Sequence, residues 1–185
     1  DDSDDSDDSD DSDDSDDSGV ELAEVMVRGG DLVGVAVDGK TLRGARRDDG
    51  TKVQLLAAVR HDTGMIIGQR NVDNDKTNEI LALPPLLEPL DIAGLVITAD
   101  AMHTQRKAAD LIVTTKAAHY ILGVKTNQPT MWNAGRDAVQ GINLDHPEHE
   151  TVHRGHGRID RHRVWTADVP ATVTFPHACR FIIVE

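Results

Sequence analysis

The chain has 185 residues, 33 of them acidic and 19 Lys or Arg, a formal net charge of −14. Twelve of those acids lie in the first eighteen positions, six perfect copies of Asp-Asp-Ser, so the remaining body holds 21 acidic against 19 basic residues, a charge of −2. The overall charge therefore does not exclude a nucleic-acid partner, whereas the single cysteine, Cys179, excludes an internal disulfide framework and no apolar run approaches the ~20 residues that cross a bilayer.

In chain order, residues 1–18 repel one another and carry nothing to bury, so disorder is expected. Residues 19–32 read as a helical or irregular lead-in. Strands are expected at 33–38, 52–60 and 64–72. The turn signals Asp48-Asp49-Gly50 and His61-Asp62-Thr63-Gly64 between them make an antiparallel meander. A helix is expected over 77–90. Thr77 or Asn78 caps it, Glu79 suits its first turn, and Pro84-Pro85 interrupts or kinks it; the polar cluster Lys76, Asn78 and Glu79 reads first as this helix start and second as part of an active-site rim. A fourth strand follows at 95–99, a helix at 103–117, a fifth strand at 119–124 and a last helix at 129–140. Residues 143–185 are polar, rich in His and Arg, and read as a β-rich insertion.

The order β-β-β-α-β-α-β-α gives a mixed α/β sheet. In a ribonuclease-H-like fold, spanning 33–142 here, that order sets the first and fourth strands side by side. Each of these two strands is a continuous apolar run ending in a carboxylate: Val33-Gly34-Val35-Ala36-Val37-Asp38 and Leu95-Val96-Ile97-Thr98-Ala99-Asp100. Neighbouring strands would bring Asp38 and Asp100 together as a metal-binding pair. Taken singly, Asp38-Gly39 is equally a turn pair and Asp100 equally a helix N-cap.

Five motifs sharpen the choice. They are Val37-Asp38-Gly39-Lys40-Thr41-Leu42-Arg43-Gly44, Asp75-Lys76-Thr77-Asn78-Glu79-Ile80, Thr98-Ala99-Asp100-Ala101-Met102-His103-Thr104-Gln105, Val124-Lys125-Thr126-Asn127-Gln128-Pro129 and Gly155-His156-Gly157-Arg158-Ile159-Asp160. Together, in this order, they resemble the DDE transposases of bacterial insertion sequences, of the H-repeat-associated type. The resemblance covers nearly all of 33–165. It implies a ribonuclease-H-like core acting on insertion-sequence terminal inverted repeats and target DNA with Mg²⁺ or Mn²⁺. It implies a homodimer in the active complex and no membrane, in a cytoplasmic, nucleoid-associated setting.

The family's catalytic set is two aspartates and a glutamate. Asp38 and Asp100 match the aspartates. The glutamate lies further downstream in the family, so a fragment without it is expected, with no robust cleavage by this chain alone. The alternatives are a transposase remnant that at most binds DNA or a partner, and a generic ribonuclease-H-like nuclease.

Strand cleavage and transfer require two metal ions flanking the phosphorus, ~3.5–4 Å apart, and carboxylate oxygens suit hard Mg²⁺. Asp38 is the candidate bridge between the ions, and Asp100 the ligand of the ion that activates water or a 3′-hydroxyl. Candidate DNA contacts are Lys40 and Arg43 after Asp38, His103 after Asp100, Lys125, Asn127 and Gln128 after the fifth strand, and Arg158. His103 could instead stand behind the metal's ligands. The plainer alternatives are a solvated loop for Lys40 and Arg43, a solvated first-turn residue for His103, a loop-stabilising role for Lys125, Asn127 and Gln128, and a polar surface position for Arg158. The histidines at 146–162 fit no zinc-ligand spacing. Trp132 and Trp165 are expected to pack locally.

Overall fold

The computed structural model describes residues 21–23, 32–46, 48–72, 76–155 and 157–185, without the side chains of 21–23 and 76–78. The Asp-Asp-Ser repeat and most of the lead-in lie outside these residues. The elements in order are β1 (Glu21–Ala23), β2 (Gly34–Arg46), β3 (Lys52–Arg60), β4 (Ile66–Val72), α1 (Lys76–Leu87), β5 (Val96–Ala99), a 3₁₀ turn (Ala101–His103), α2 (Arg106–Asp110) passing into a wide π turn (Leu111–Thr115), β6 (His119–Leu122), α3 (Pro129–Gln140), β7 (His149–Gly155), β8 (Arg158–Asp168) and β9 (Arg180–Val184).

Five strands form a mixed sheet in the order β4-β3-β2-β5-β6. β4, β3 and β2 run as an antiparallel meander. β5 and β6 add in parallel to β2, as strands reached through helical crossovers do. This is the ribonuclease-H-like arrangement expected from the element order. Val35, Val37, Leu56, Ala58, Ile97, Tyr120 and Leu122 are buried and, by register, share one face. α1 packs against β3 and β4, and the π turn against β6. On the other face Ala36, Thr98 and Ile121 are only half-buried and Asp38 is exposed.

A second sheet, β1-β9-β8-β7, holds the C-terminal residues. Its Trp165, Phe181 and Ile183 join the same core cluster as the first sheet. Three polar links tie the loop before β9 to the first unit: Arg106 Nη1 donates to Thr174 O (2.7 Å), Tyr120 OH donates to Pro176 O (2.5 Å), and His177 Nε2 meets Asp110 Oδ1 at 3.0 Å. Trp165 is buried in this shared core rather than packed only locally, with Arg163 over its ring at 5.3 Å.

Four expectations change. Of the helical or irregular lead-in, Glu21–Ala23 forms a strand paired antiparallel with β9. The first strand does not stop at 38. β2 continues through Asp38-Gly39 to Arg46, because β3 supplies partners as far as Thr41 and again at Arg46. The Pro84-Pro85 pair does not interrupt α1, which stays helical to Leu87. Each proline lacks the N–H that would bond the carbonyl four residues back, at Ile80 and Leu81, yet the ladder resumes after them, the N–H of Glu88 reaching Pro84 O at 2.9 Å. The expected helix 103–117 is broken. Thr104 Oγ1 donates across to Gly123 O, Gln105 is extended (φ −118°, ψ 136°), and the β-branched run Ile112-Val113-Thr114-Thr115 opens into the π turn.

Candidate functional site

Val37 on β2 is level with Ala99 on β5 in a parallel pair. One step further along both strands come Asp38 and Asp100. In parallel strands, residues at the same level point to the same face, so the two carboxylates emerge side by side. Both line an open cleft of about 310 Å³ shared with Ala36, Thr98, Ile121 and Gly123. The cleft lies at the carboxyl ends of the parallel strands, where open α/β sheets bind ligands.

The two plainer readings of these residues fare differently. Asp38 is a strand residue paired with Ala57 rather than a turn residue. Asp100 does cap the following 3₁₀ turn, its Oδ1 accepting from Ala101 N at 2.6 Å. That cap occupies one oxygen and fixes the carboxylate at the strand end, which is compatible with the other oxygen serving a cation. Two hard carboxylate donors in a solvent-open cleft fit a Mg²⁺ or Mn²⁺ ion that keeps several waters. Among the described residues, no group of three or more His, Cys, Asp or Glu side chains is arranged to hold a metal.

Directly behind the cleft is a buried polar cluster that the sequence reading missed as a unit. Glu79, in the first turn of α1, is 6% exposed. Its Oε2 accepts from Gln54 Nε2 of β3 at 2.8 Å, and its Oε1 lies 3.5 Å from His103 Nε2. Its carboxylate fills the space where a side chain on Gly39 would begin: a Cβ there would stand 2.2 Å from Oε1. Glu79 does occupy the helix start assigned to it. The sequence signal for its inward turn is Gly39, one residue after a strand-borne Asp, where the absence of a Cβ leaves room for the Glu79 carboxylate.

His103 is not at the cleft surface. It is 1% exposed and faces Glu79, a place that is neither a phosphate contact nor a solvated first turn and that agrees with a position behind the candidate metal ligands. Burial pushes its imidazole below the usual 6.5, against the opposing pull of Glu79, Asp100 and Asp38. The folded protein thus favours neutral His103. Its contribution to stability is fully present above about pH 6.5 and is lost as pH falls from there through the depressed folded value. The melting temperature of the native chain is therefore expected to fall more steeply below about pH 6.5 than that of His103→Gln. Parallel curves would remove His103 as the titrating group.

Asn127 and Gln128 act as braces. Asn127 Nδ2 donates to Ala101 O at 3.0 Å and Gln128 Nε2 to Thr104 O at 2.7 Å. They tie the start of α3 to the turn that Asp100 caps. Lys40, Arg43 and Lys125 are exposed, Lys40 and Arg43 further along the strand that carries Asp38. Arg158 belongs to the second sheet and pairs with Asp160 at 2.7 Å. His61, which had been read only as a turn signal, lies on the cleft face: its Nε2 is 3.2 Å from Thr98 Oγ1, and a Cβ on Gly34 would meet its ring at 2.8 Å.

Comparison with known proteins meets this geometry from another side. An Escherichia coli (strain K12) protein named "H repeat-associated putative transposase YhhI" is 33% identical over 141 residues, 74% of this chain and 37% of its own length. YbfD of the same strain, with the same description, is 32% identical over 141 residues, 74% of this chain and 55% of its own. The chain is a homologue of the H repeat-associated transposases. A Xanthobacter autotrophicus protein named "Uncharacterized protein in dhlA 3'region" is 36% identical over 144 residues, 76% of this chain and 48% of its own length. This transposase homologue thus spans about half or less of the length of the curated relatives it matches. No protein-family model matches the chain. A solved synaptic complex of piggyBac transposase with hairpin DNA superposes at a TM-score of 0.42 and 10% identity, over 82% of this chain and 32% of that one. In the transposase homologue, no helix among the described residues is long and apolar enough to cross a membrane.

Proposed function

We propose that this chain carries the two-aspartate part of a DNA strand-cleavage and strand-transfer centre, acting with Mg²⁺ or Mn²⁺ on insertion-sequence ends. One observation carries the reading: Asp38 and Asp100 stand at the same level on adjacent parallel strands and share one open cleft. Homology to proteins named as putative transposases supports the reaction class. When bound, the metal supplies Lewis-acid stabilisation of the phosphate and a nucleophile usable at neutral pH. The chain's own part is to hold two carboxylates at fixed separation, Asp100 by its cap and Asp38 by its strand. The Asn127 and Gln128 braces keep the floor of the cleft in place. Lys40, Arg43 and Lys125 hold the DNA backbone as point charges, and Arg158 adds a contact from the second sheet. A homodimer would bring two DNA ends together.

The test is metal-dependent nicking of a duplex carrying a terminal inverted repeat. It is run on this chain and on a version extended to the length of its relatives. Nicking that requires Mg²⁺ or Mn²⁺ supports the reading. Equal nicking in EDTA would sink it. Duplex binding without nicking in either form would favour the binding-only alternative. In the same assay, Lys125→Ala is expected to weaken duplex binding uniformly across sequences and to lower the salt slope by about one. An unchanged salt dependence would take Lys125 out of the interface.

A further inference from the structure

The buried cluster behind the cleft goes beyond metal ligation. We infer that Glu79 is a positioning residue that sets the placement of Asp38 relative to Asp100; this rests on the metal reading of those two residues.

The geometry is that of a three-way tie. Gly39 follows Asp38 on β2, and the Glu79 carboxylate occupies the space above it. Gln54 on β3 donates to Glu79 Oε2 at 2.8 Å. His103 closes the turn that Asp100 caps, and its Nε2 lies 3.5 Å from Glu79 Oε1. A single side chain from α1 therefore meets the strand bearing the first aspartate, the neighbouring strand and the turn bearing the second. His103 adds no ordinary hydrogen bond of its own, since neither ring nitrogen has a partner among the described residues.

Packing alone gives no reason for a carboxylate here. Burying one with so few partners is costly. A leucine or methionine would fill the space between α1 and the sheet without that cost. The favourable effect of an acid at a helix start is available to a solvent-facing carboxylate as well. What an apolar residue cannot do is accept from Gln54 while facing His103. Glu79 is not itself placed as a third ligand, given that no three metal-binding side chains converge among the described residues. Its effect runs through the two aspartates, as partners behind metal ligands commonly act.

The experiment is a manganese(II) chloride titration of the full 185-residue chain, read by paramagnetic broadening of the Thr98 and Gly123 amide resonances. Both residues line the cleft, and the same titration of a chain lacking the twelve aspartates of the N-terminal repeat separates cleft broadening from ions held there. Asp38→Asn and Asp100→Asn are expected to abolish the broadening. Glu79→Gln is expected to raise the Mn²⁺ concentration at half-effect by about tenfold or more, with the melting temperature little changed. Gln54→Ala is expected to shift it the same way by less, and it replaces Glu79→Gln should that variant not fold. If the aspartate variants lose broadening while Glu79→Gln and Gln54→Ala titrate like the native chain, the positioning role is overturned and the metal site stands. Should the aspartate variants keep native broadening, the metal reading itself fails, and this inference with it.

Discussion

Asp38→Asn and Asp100→Asn are each expected to lower metal-dependent nicking by about a thousandfold or more in the version extended to the length of its relatives. The magnitude follows from what a metal-bound centre supplies: losing about 4 kcal/mol of transition-state stabilisation is about three powers of ten in rate. The two variants should differ in stability. Asp38 is exposed at the rim of a sheet whose pairing with β3 uses only backbone, so Asn there should leave the folding stability within about 0.5 kcal/mol of native. Asp100 also caps a turn through Oδ1. Asn is itself a good cap, which makes it the right substitution and Ala the wrong one: Asp100→Ala would lose about 1 kcal/mol of capping as well. The checks are nicking rates with Mg²⁺ and with Mn²⁺, alongside thermal melts. Near-native nicking by either Asn variant would remove that residue from the centre.

The placement of the two aspartates was legible in the sequence because two strong signals agreed. A continuous β-branched run marks a strand buried within a sheet, and the β-β-β-α-β order fixes which two strands are neighbours. The helix at 129–140 was legible for a similar reason: Pro129 pre-sets the first turn, and the helix found is Pro129–Gln140. The misreadings share a different cause. The helix expected over 103–117 was broken by Thr104, whose hydroxyl bonds to Gly123 nineteen residues away, a contact that no local pattern encodes. β2 outran its expected end because Asp-Gly reads as a turn locally, while β3 supplies a partner for each residue through Thr41. A polar residue after a cap, as His103 is, reads as well for a surface position as for one behind the metal's ligands. It is buried facing Glu79, 24 positions earlier in the sequence, on α1. Tertiary partners decided each of these cases, and tertiary partners are what a local window lacks.

Gly39→Ala puts the cluster to its hardest test, because two opposing effects decide the sign. In an open strand position, replacing Gly by Ala removes chain entropy from the unfolded state and favours the fold by about 0.4–1 kcal/mol. Here the new Cβ would stand 2.2 Å from Glu79 Oε1 and 2.7 Å from Oε2, so the Glu79 side chain must leave its place. Leaving means breaking its bond from Gln54 and withdrawing from His103 among packed neighbours, an overpacking cost of about 1–3 kcal/mol. The clash is the larger effect, so Gly39→Ala is expected to lower the melting temperature by several degrees and to weaken nicking together with Mn²⁺ response. Glu79→Ala removes the obstacle. In the double variant Gly39→Ala/Glu79→Ala the methyl occupies the vacated space, and stability should recover by about 1 kcal/mol or more over the sum of the single changes. Nicking should stay low, since the tie between the strand of Asp38 and the turn of Asp100 is gone. Recovery of stability without recovery of nicking separates the steric role of Gly39 from the positioning role of Glu79. A stabilising effect of Gly39→Ala alone would mean that the Glu79 carboxylate does not lie over β2 at all.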